Sequence, residues 1–398
     1  MFLEPYSVLD LTGPLGYLTG KVLADLGAHV VKVEPPGGDP ARRWLPQRRT
    51  ADGAVGVYWL ATNAGKRGLV LDLESDEDRR TLRDLARSAD FLLESFPPGT
   101  LERWGLDYDT LRGDNAGLIF VSITPFGQQG PYRDYQAFDL ELMALGGAMS
   151  LAGEEGGEPM RVTVPQAPMW VGAEAAMGAL TALVYRTRRG FGQRVDVSAQ
   201  AAVMSALAHA PAFWDLSRIN PQRAGIHITG RSVTGARMRV FWPCRDGWIN
   251  FIIYGGTAGR RTNQQLVAWM DSTGMAPAWL KEFDWSRFSV PTLAQEEIDR
   301  LEAPIAAFLA TLTKQEFLEG AVSREMLGYP VSTVADISAD RQLAARGFWQ
   351  DLADSTGARL RHPGGFAVVN GRRLSLRGPA PRLHEQEEPE PTGGRRDL

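Results

Sequence analysis

Over the first third of the chain, short apolar runs alternate with helical spacings. Ser7–Leu11 (SVLDL) has the pattern of a buried strand, closed by Gly13 and Pro14. Leu18, Val22 and Leu26 then recur at helical intervals, and Gly27 marks the stop. Residues 30–34 (VVKVE) predict the next strand, and 35–40 (PPGGDP) a turn cluster. The cycle repeats at 69–73 (LVLDL), followed by a helix capped by Ser75 with Leu82 and Leu85 on its inner face. Phe91–Glu94 is a third strand pattern after the first helix, and 118–123 (LIFVSI) is a continuous apolar run, as in a strand covered on both faces. Strands alternating with helices predict an α/β fold with an open, mainly parallel sheet.

The middle of the chain reads differently. Residues 159–169 are irregular and punctuated by proline. Residues 172–187 form a helix of small and apolar residues, 188–193 (RRGFGQ) a glycine-broken turn, and Arg194–Ser198 an alternating strand. A helical stretch at 199–217 precedes a polar linker. Two strand patterns, 237–243 and 248–254, flank Arg245-Asp246-Gly247 and predict a hairpin. The glycine-rich 255–259 follows, then helical patterns at 262–272, 294–312 and 313–326. These make a smaller α+β unit. The division expected is a large domain over 1–218, a linker at 219–230, the small domain over 231–328, and a linker returning to the large domain over 329–383. The tail 384–398 is polar and expected to be disordered.

Composition changes this picture little. The 398 residues carry a net charge of −4 with no basic block, so neither nucleic acid nor a membrane surface is an implied partner. A single cysteine, Cys244, excludes an internal disulfide framework and fits a reducing, cytoplasmic setting. No signal peptide and no membrane span is read. No metal site is expected, because no His/Cys cluster has metal spacing. Neither a dinucleotide fingerprint nor a nucleophile elbow is present.

Seven segments in order carry a resemblance: VLDLT at 8–12, VLADLGAHVVKVEPPGGDP at 22–40, NAGKRGLVLDL at 63–73, PGTLERWGLDY at 98–108, SITPFGQQGPY at 122–132, the stretch 159–200, and QLAARGFW at 342–349. Together the chain resembles the family III CoA-transferases (CaiB/BaiF type), which include formyl-CoA transferase, the carnitine CoA-transferases and the 2-methylacyl-CoA racemases. The resemblance implies a Rossmann-like large domain that binds CoA and an interlocked dimer. It implies coenzyme A or acyl-CoA as substrate, with no permanently bound cofactor. In such enzymes an aspartate before the 172–187 helix attacks the acyl group and then carries CoA as a thioester, splitting one hard step into easier ones. Here that position is Pro168, which has no group to attack with.

Two acids stand near it, Asp139 and Glu174, and each is weighed first as a structural carboxylate and second as a relocated nucleophile. Racemases of this family use a histidine where Phe138 stands, and with Pro168 this removes both halves of a proton-swapping pair, excluding racemase. For CoA, the resemblance implies Leu71, Ser95, Phe96 and Arg103. Ser95 replaces the usual asparagine, Pro97 stands where many members have Arg or Gly, and the 12–18 loop is one residue short. Gly255, Gly256 and Gly259 match a glycine-rich flap, with a plain hairpin-to-helix connection as the alternative.

The reading that follows is a CoA-transferase subunit, the non-catalytic partner of an aspartate-bearing homologue. The alternatives are a stand-alone acyl-CoA enzyme with altered chemistry, which would assemble as a homodimer, and an acyl-CoA-binding protein.

Overall fold

The computed structural model describes residues 2–50, 53–229, 236–288, 293–353 and 359–383. The expected disordered tail, 384–398, lies outside them. The chain divides into two compact units. One holds Met1–Ala148, Val162–Ala208 and Arg341–Leu398; the other holds Met149–Arg161 and His209–Asp340. The excursion Met149–Arg161, which interrupts the first unit ahead of Pro168, has no counterpart in the hydrophobic pattern. Its sequence is too glycine-rich and acidic to register as an element.

The first unit contains β1 (Ser7–Leu11), α1 (Tyr17–Asp25), β2 (His29–Glu34), β3 (Arg67–Val70), α2 (Asp76–Ala86), β4 (Phe91–Glu94), β5 (Ile119–Thr124), α3 (Asp139–Leu145), α4 (Ala167–Arg189) and β6 (Arg194–Ser198). The strand order is β3-β2-β1-β4-β5-β6 and every pairing is parallel. The order reverses between β1 and β4, and in such sheets ligands sit beyond the carboxyl ends of the strands at that reversal. On one face, Leu9, Val33, Leu92 and Phe120 pack with Leu82 of α2. Burying each such side chain contributes about 1.5–3 kcal/mol. On the other face α1 and α4 lie close. A Cβ at Gly172 would come 2.6 Å from Leu18 Cβ, so the bare glycine permits the approach. Thr19 Oγ1 donates to the Gly172 carbonyl at 3.2 Å across it.

Charged residues sit inside this sheet. Lys66 Nζ donates to Asp10 Oδ2 at 2.7 Å, with both side chains fully buried. It also reaches the Tyr17 carbonyl and Asn63 Oδ1, each at 2.9 Å. Lys32, 1% exposed, donates to the carbonyls of Thr12 (2.6 Å), Val33 (3.1 Å) and Asp10 (3.3 Å). Burial alone would raise the Asp10 pKa, but Lys66 and Lys32 hold it below the usual carboxylate range. Gly20 lies against this pair: a Cβ there would come 2.1 Å from Asp10 Oδ2.

The second unit is α+β. Phe241–Cys244 and Gly247–Asn250 form the expected hairpin around the Arg245-Asp246 turn, and Tyr329–Pro330 adds a third strand. His227–Thr229, inside the stretch read as a linker, pairs with Arg237–Arg239. Helices Gly256–Ser272, Gln295–Leu309 and Lys314–Ser323 close over a core of Trp242, Phe251, Phe308 and Phe317. Thr313 and Glu316 form a reciprocal capping box at the start of the last of these.

Three elements differ most from the pattern-based boundaries. The helix read over 172–187 starts five residues earlier, at Ala167. The stretch 199–217 is two helices, Ala199–Ala206 and His209–Ser217, broken where the chain leaves the first unit. The glycine-rich 255–259 is absorbed into the first turn of Gly256–Ser272, with Gly255 as its cap.

Candidate functional site

Pro168 is buried in the first turn of α4, a position where a residue without an N–H costs the helix nothing. The first N–H groups of a helix have no intrahelical acceptor and usually make an anion site. At α4 they are taken. Asp139 Oδ1 accepts from the Gln166 N–H at 2.6 Å and from the Ala167 N–H at 2.9 Å. Pro168 has none, and the Met169 N–H turns back to the Gln166 carbonyl at 2.9 Å. Asp139 is 5% exposed. It is the cap of a helix 27 residues further along the chain, and its charge sits against the positive end of that helix. The lone Asp139 carboxylate thus fills the place at which an oxyanion would otherwise be held.

Glu174 is half-buried on α4, six residues beyond Pro168. That is about 9 Å along the axis and roughly a third of a turn away in azimuth, so the fold does not bring Glu174 to the helix start.

Beside Asp139, Phe138 packs edge-on to Trp44 with ring centroids 5.7 Å apart. Trp44 in turn stacks on Tyr58 at 5.7 Å and 27°. The Tyr58 hydroxyl donates to the Pro14 carbonyl at 3.0 Å. Burial, and then the Asp139 charge, push the Tyr58 phenol far above its usual value, so it stays neutral. These three rings make a wall whose one ionisable group, the Tyr58 phenol, keeps its proton and hydrogen-bonds it to a backbone carbonyl. Sequence reasoning did not find it, because Trp44, Tyr58 and Phe138 belong to three separate segments.

The residues implied for CoA gather at the carboxyl edge of the sheet. Ser95 Oγ accepts from the Gly13 N–H at 2.7 Å and ties the ends of β4 and β1 together at the reversal. Phe96 packs edge-on to Trp104 at 5.4 Å and donates its N–H to Glu94 Oε2 at 2.8 Å. Leu71 is 6% exposed and belongs to the same core cluster that Phe96 packs against, which leaves mainly its backbone for a ligand. Arg103 is exposed and anchored by Nη2 to Thr100 Oγ1 at 3.0 Å. Gly255, Gly256 and Gly259 belong to the second unit.

A shallow, solvent-open depression with a cavity volume of only about 10 Å³ lies at this edge, lined by Glu94, Pro97, Gly99, Tyr108, Phe120 and Arg194 among others. Glu94 is 4% exposed, and burial pushes its pKa up to about 7. Its position at the end of an apolar strand was legible in the sequence; its burial was not.

The six-stranded parallel sheet, with its order reversing between β1 and β4, and the small-residue helix α4 packed on it give a Rossmann-like α/β fold. The profile of CoA-transferase family III matches residues 3–387, and the chain belongs to that family. It is 36% identical over 386 residues to the succinyl-CoA:(R)-benzylsuccinate CoA-transferase subunit BbsE of Thauera aromatica, covering 96% of this chain and 91% of that one. It is 30% identical over 388 residues to the succinate–glutarate CoA-transferase of Agrobacterium fabrum, covering 96% and 92%. A crystal structure of a CAIB/BAIF family protein from Brucella suis superposes with a TM-score of 0.81 at 28% identity over 97% of each chain.

Among the described residues, α4 is the one helix long and apolar enough to cross a bilayer. It is packed against α1 and β5, as a core helix is.

Proposed function

We propose that this chain is the non-catalytic subunit of a two-component CoA-transferase. The assembly moves CoA from an acyl-CoA to a carboxylic acid, and a homologous sister chain supplies the nucleophilic aspartate. One observation carries the reading: Pro168 stands where the family resemblance puts the attacking carboxylate, and the Gln166 and Ala167 N–H groups beside it are held by Asp139. A buried carboxylate whose Oδ1 holds two backbone N–H groups is fixed in place as a helix cap, which supports a structural role for Asp139 over a nucleophilic one. The relative from Thauera aromatica is itself named as a subunit, which supports an assembly of unlike chains.

Exposed apolar side chains support a partner surface. Met177 and Val184, about two turns apart on α4, are 63% and 51% exposed. Large exposed apolar groups of this kind mark interaction sites when they are gathered on one element. A site for acyl-CoA in the cytoplasm is part of the same reading. Succinyl-CoA is the first donor to test, since a relative is named for it.

The test is co-expression with a homologue that keeps aspartate at the Pro168 position, followed by purification and a transfer assay. Transfer by the complex and none by this chain alone is the expected result. Transfer by this chain alone overturns it and favours the stand-alone enzyme. A chain that binds acyl-CoA but forms no complex favours the binding protein.

A further inference from the structure

Two guanidinium groups converge on a bare stretch of backbone at the rim of the depression. Gly99 has φ +84°, a conformation that favours glycine, and it lines the depression. A Cβ at Gly99 would lie 3.6 Å from Arg103 Nη1 and 4.0 Å from Arg133 Nη2, and among the described residues no other atom beyond the chain neighbours comes within 4 Å of that point. Each arginine is anchored through a different nitrogen. Arg103 uses Nη2 on Thr100 Oγ1, and Arg133 sets Nε 3.3 Å from Asp134, a pair too exposed to hold its charge firmly. The nitrogens nearest that point, Arg103 Nη1 and Arg133 Nη2, are not the ones those anchors use. Arg133 comes from the loop between β5 and α3, far in sequence from Arg103.

Two exposed guanidinium groups this close repel each other weakly in water, and an anion between them would turn that repulsion into two attractions. A tetrahedral oxyanion fits the chemistry: guanidinium N–H groups meet phosphate oxygens at about 2.8 Å, and two of them can share one phosphate from opposite sides. A glycine beneath it leaves the space free. Glu102 and Asp107 line the same depression and repel an anion there, so the place open to one is beside Gly99, next to the two guanidinium groups.

We propose that Arg133 is the second arm of a phosphate bracket, closing with Arg103 over Gly99 on a phosphate of CoA. The inference rests on the reading that this chain binds acyl-CoA. It assigns the anion to this chain's own residues, whether or not the chain has any part in acyl transfer.

The experiment is calorimetric titration of the full chain with CoA, 3′-dephospho-CoA, pyrophosphate and pantetheine. Arg133→Gln and Arg103→Gln are each expected to weaken CoA binding about tenfold. The double variant should lose less than the product of the two, since the arms share one anion. Pantetheine binding should be unchanged. An equal loss for CoA and dephospho-CoA assigns the diphosphate; a loss for CoA alone assigns the 3′-phosphate. CoA binding by Arg133→Gln at wild-type affinity overturns the bracket, as does a matching loss for pantetheine, and so does failure of the wild-type chain to bind any phosphate-bearing probe. The transfer assay of the complex is scored separately. Its failure would sink the subunit reading while leaving a measured bracket intact.

Discussion

Replacing Asp139 by alanine removes the cap of α4. The side chain is 5% exposed and accepts two backbone N–H groups at 2.6 and 2.9 Å. Loss of a capping acceptor costs about 1–2 kcal/mol, and the buried charge at the helix end adds up to about 2 kcal/mol. A destabilisation of about 3 kcal/mol is expected, a fall of roughly 6–12 °C in Tm for a unit of this size. Asp139→Asn keeps an acceptor oxygen in nearly the same place and should lose only about 1 kcal/mol. The contrast between the two variants is the informative quantity. It is read by urea denaturation with thermal melting as a check. Asp139→Ala within about 0.5 kcal/mol of wild type would refute the cap. Asp139 would then be free to act in some other way.

Three further outcomes follow from the same structure. Gly20→Ala presses a methyl group into the buried Asp10–Lys66 pair and should destabilise by about 3–5 kcal/mol, read as lost soluble yield and a lower Tm; Gly37→Ala, with nothing within 4 Å of its Cβ position, is the control. Glu94 has its folded-state pKa raised to about 7 from an ordinary 4.5, so its contribution is fully present below pH 4.5 and is lost as pH rises through 7. Glu94→Gln should therefore gain about 3 kcal/mol on wild type between pH 4.5 and pH 8; a difference independent of pH contradicts the burial. Pro168→Asp should yield a hydroxylamine-sensitive thioester on incubation with acyl-CoA, provided the shortened 12–18 loop still admits CoA; no adduct in a variant shown to bind CoA contradicts the assigned position.

The parallel sheet was legible because its strands are continuous apolar runs separated by glycine and proline. The boundaries that moved did so for identifiable reasons. The strand read at 69–73 is paired over Arg67–Val70, because ladder pairing with β2 outweighs local apolarity. The start of α4 was hidden because its cap, Asp139, is a long-range partner that no local motif reveals. The glycines at 255–259 read as a loop, yet a helix can begin on glycine when Gly255 supplies the extended cap. Three of the motifs that carried the family resemblance share an architectural role. Asp10 of VLDLT, Lys32 of VVKVE and Lys66 of NAGK meet in one buried network, which is why charged residues sit in strands that otherwise look apolar. The aromatic wall of Trp44, Tyr58 and Phe138 and the convergence of Arg103 with Arg133 had no signal in the sequence. Each depends on loops brought together only by the fold.

The central claim is that the acyl group is never carried by this chain. It is tested most directly by incubating the co-expressed complex with succinyl-CoA, trapping with hydroxylamine and locating the adduct by peptide mass spectrometry. The account predicts one modified aspartate, on the sister chain, and an unmodified Asp139 and Glu174. An adduct on either of those two carboxylates would contradict it.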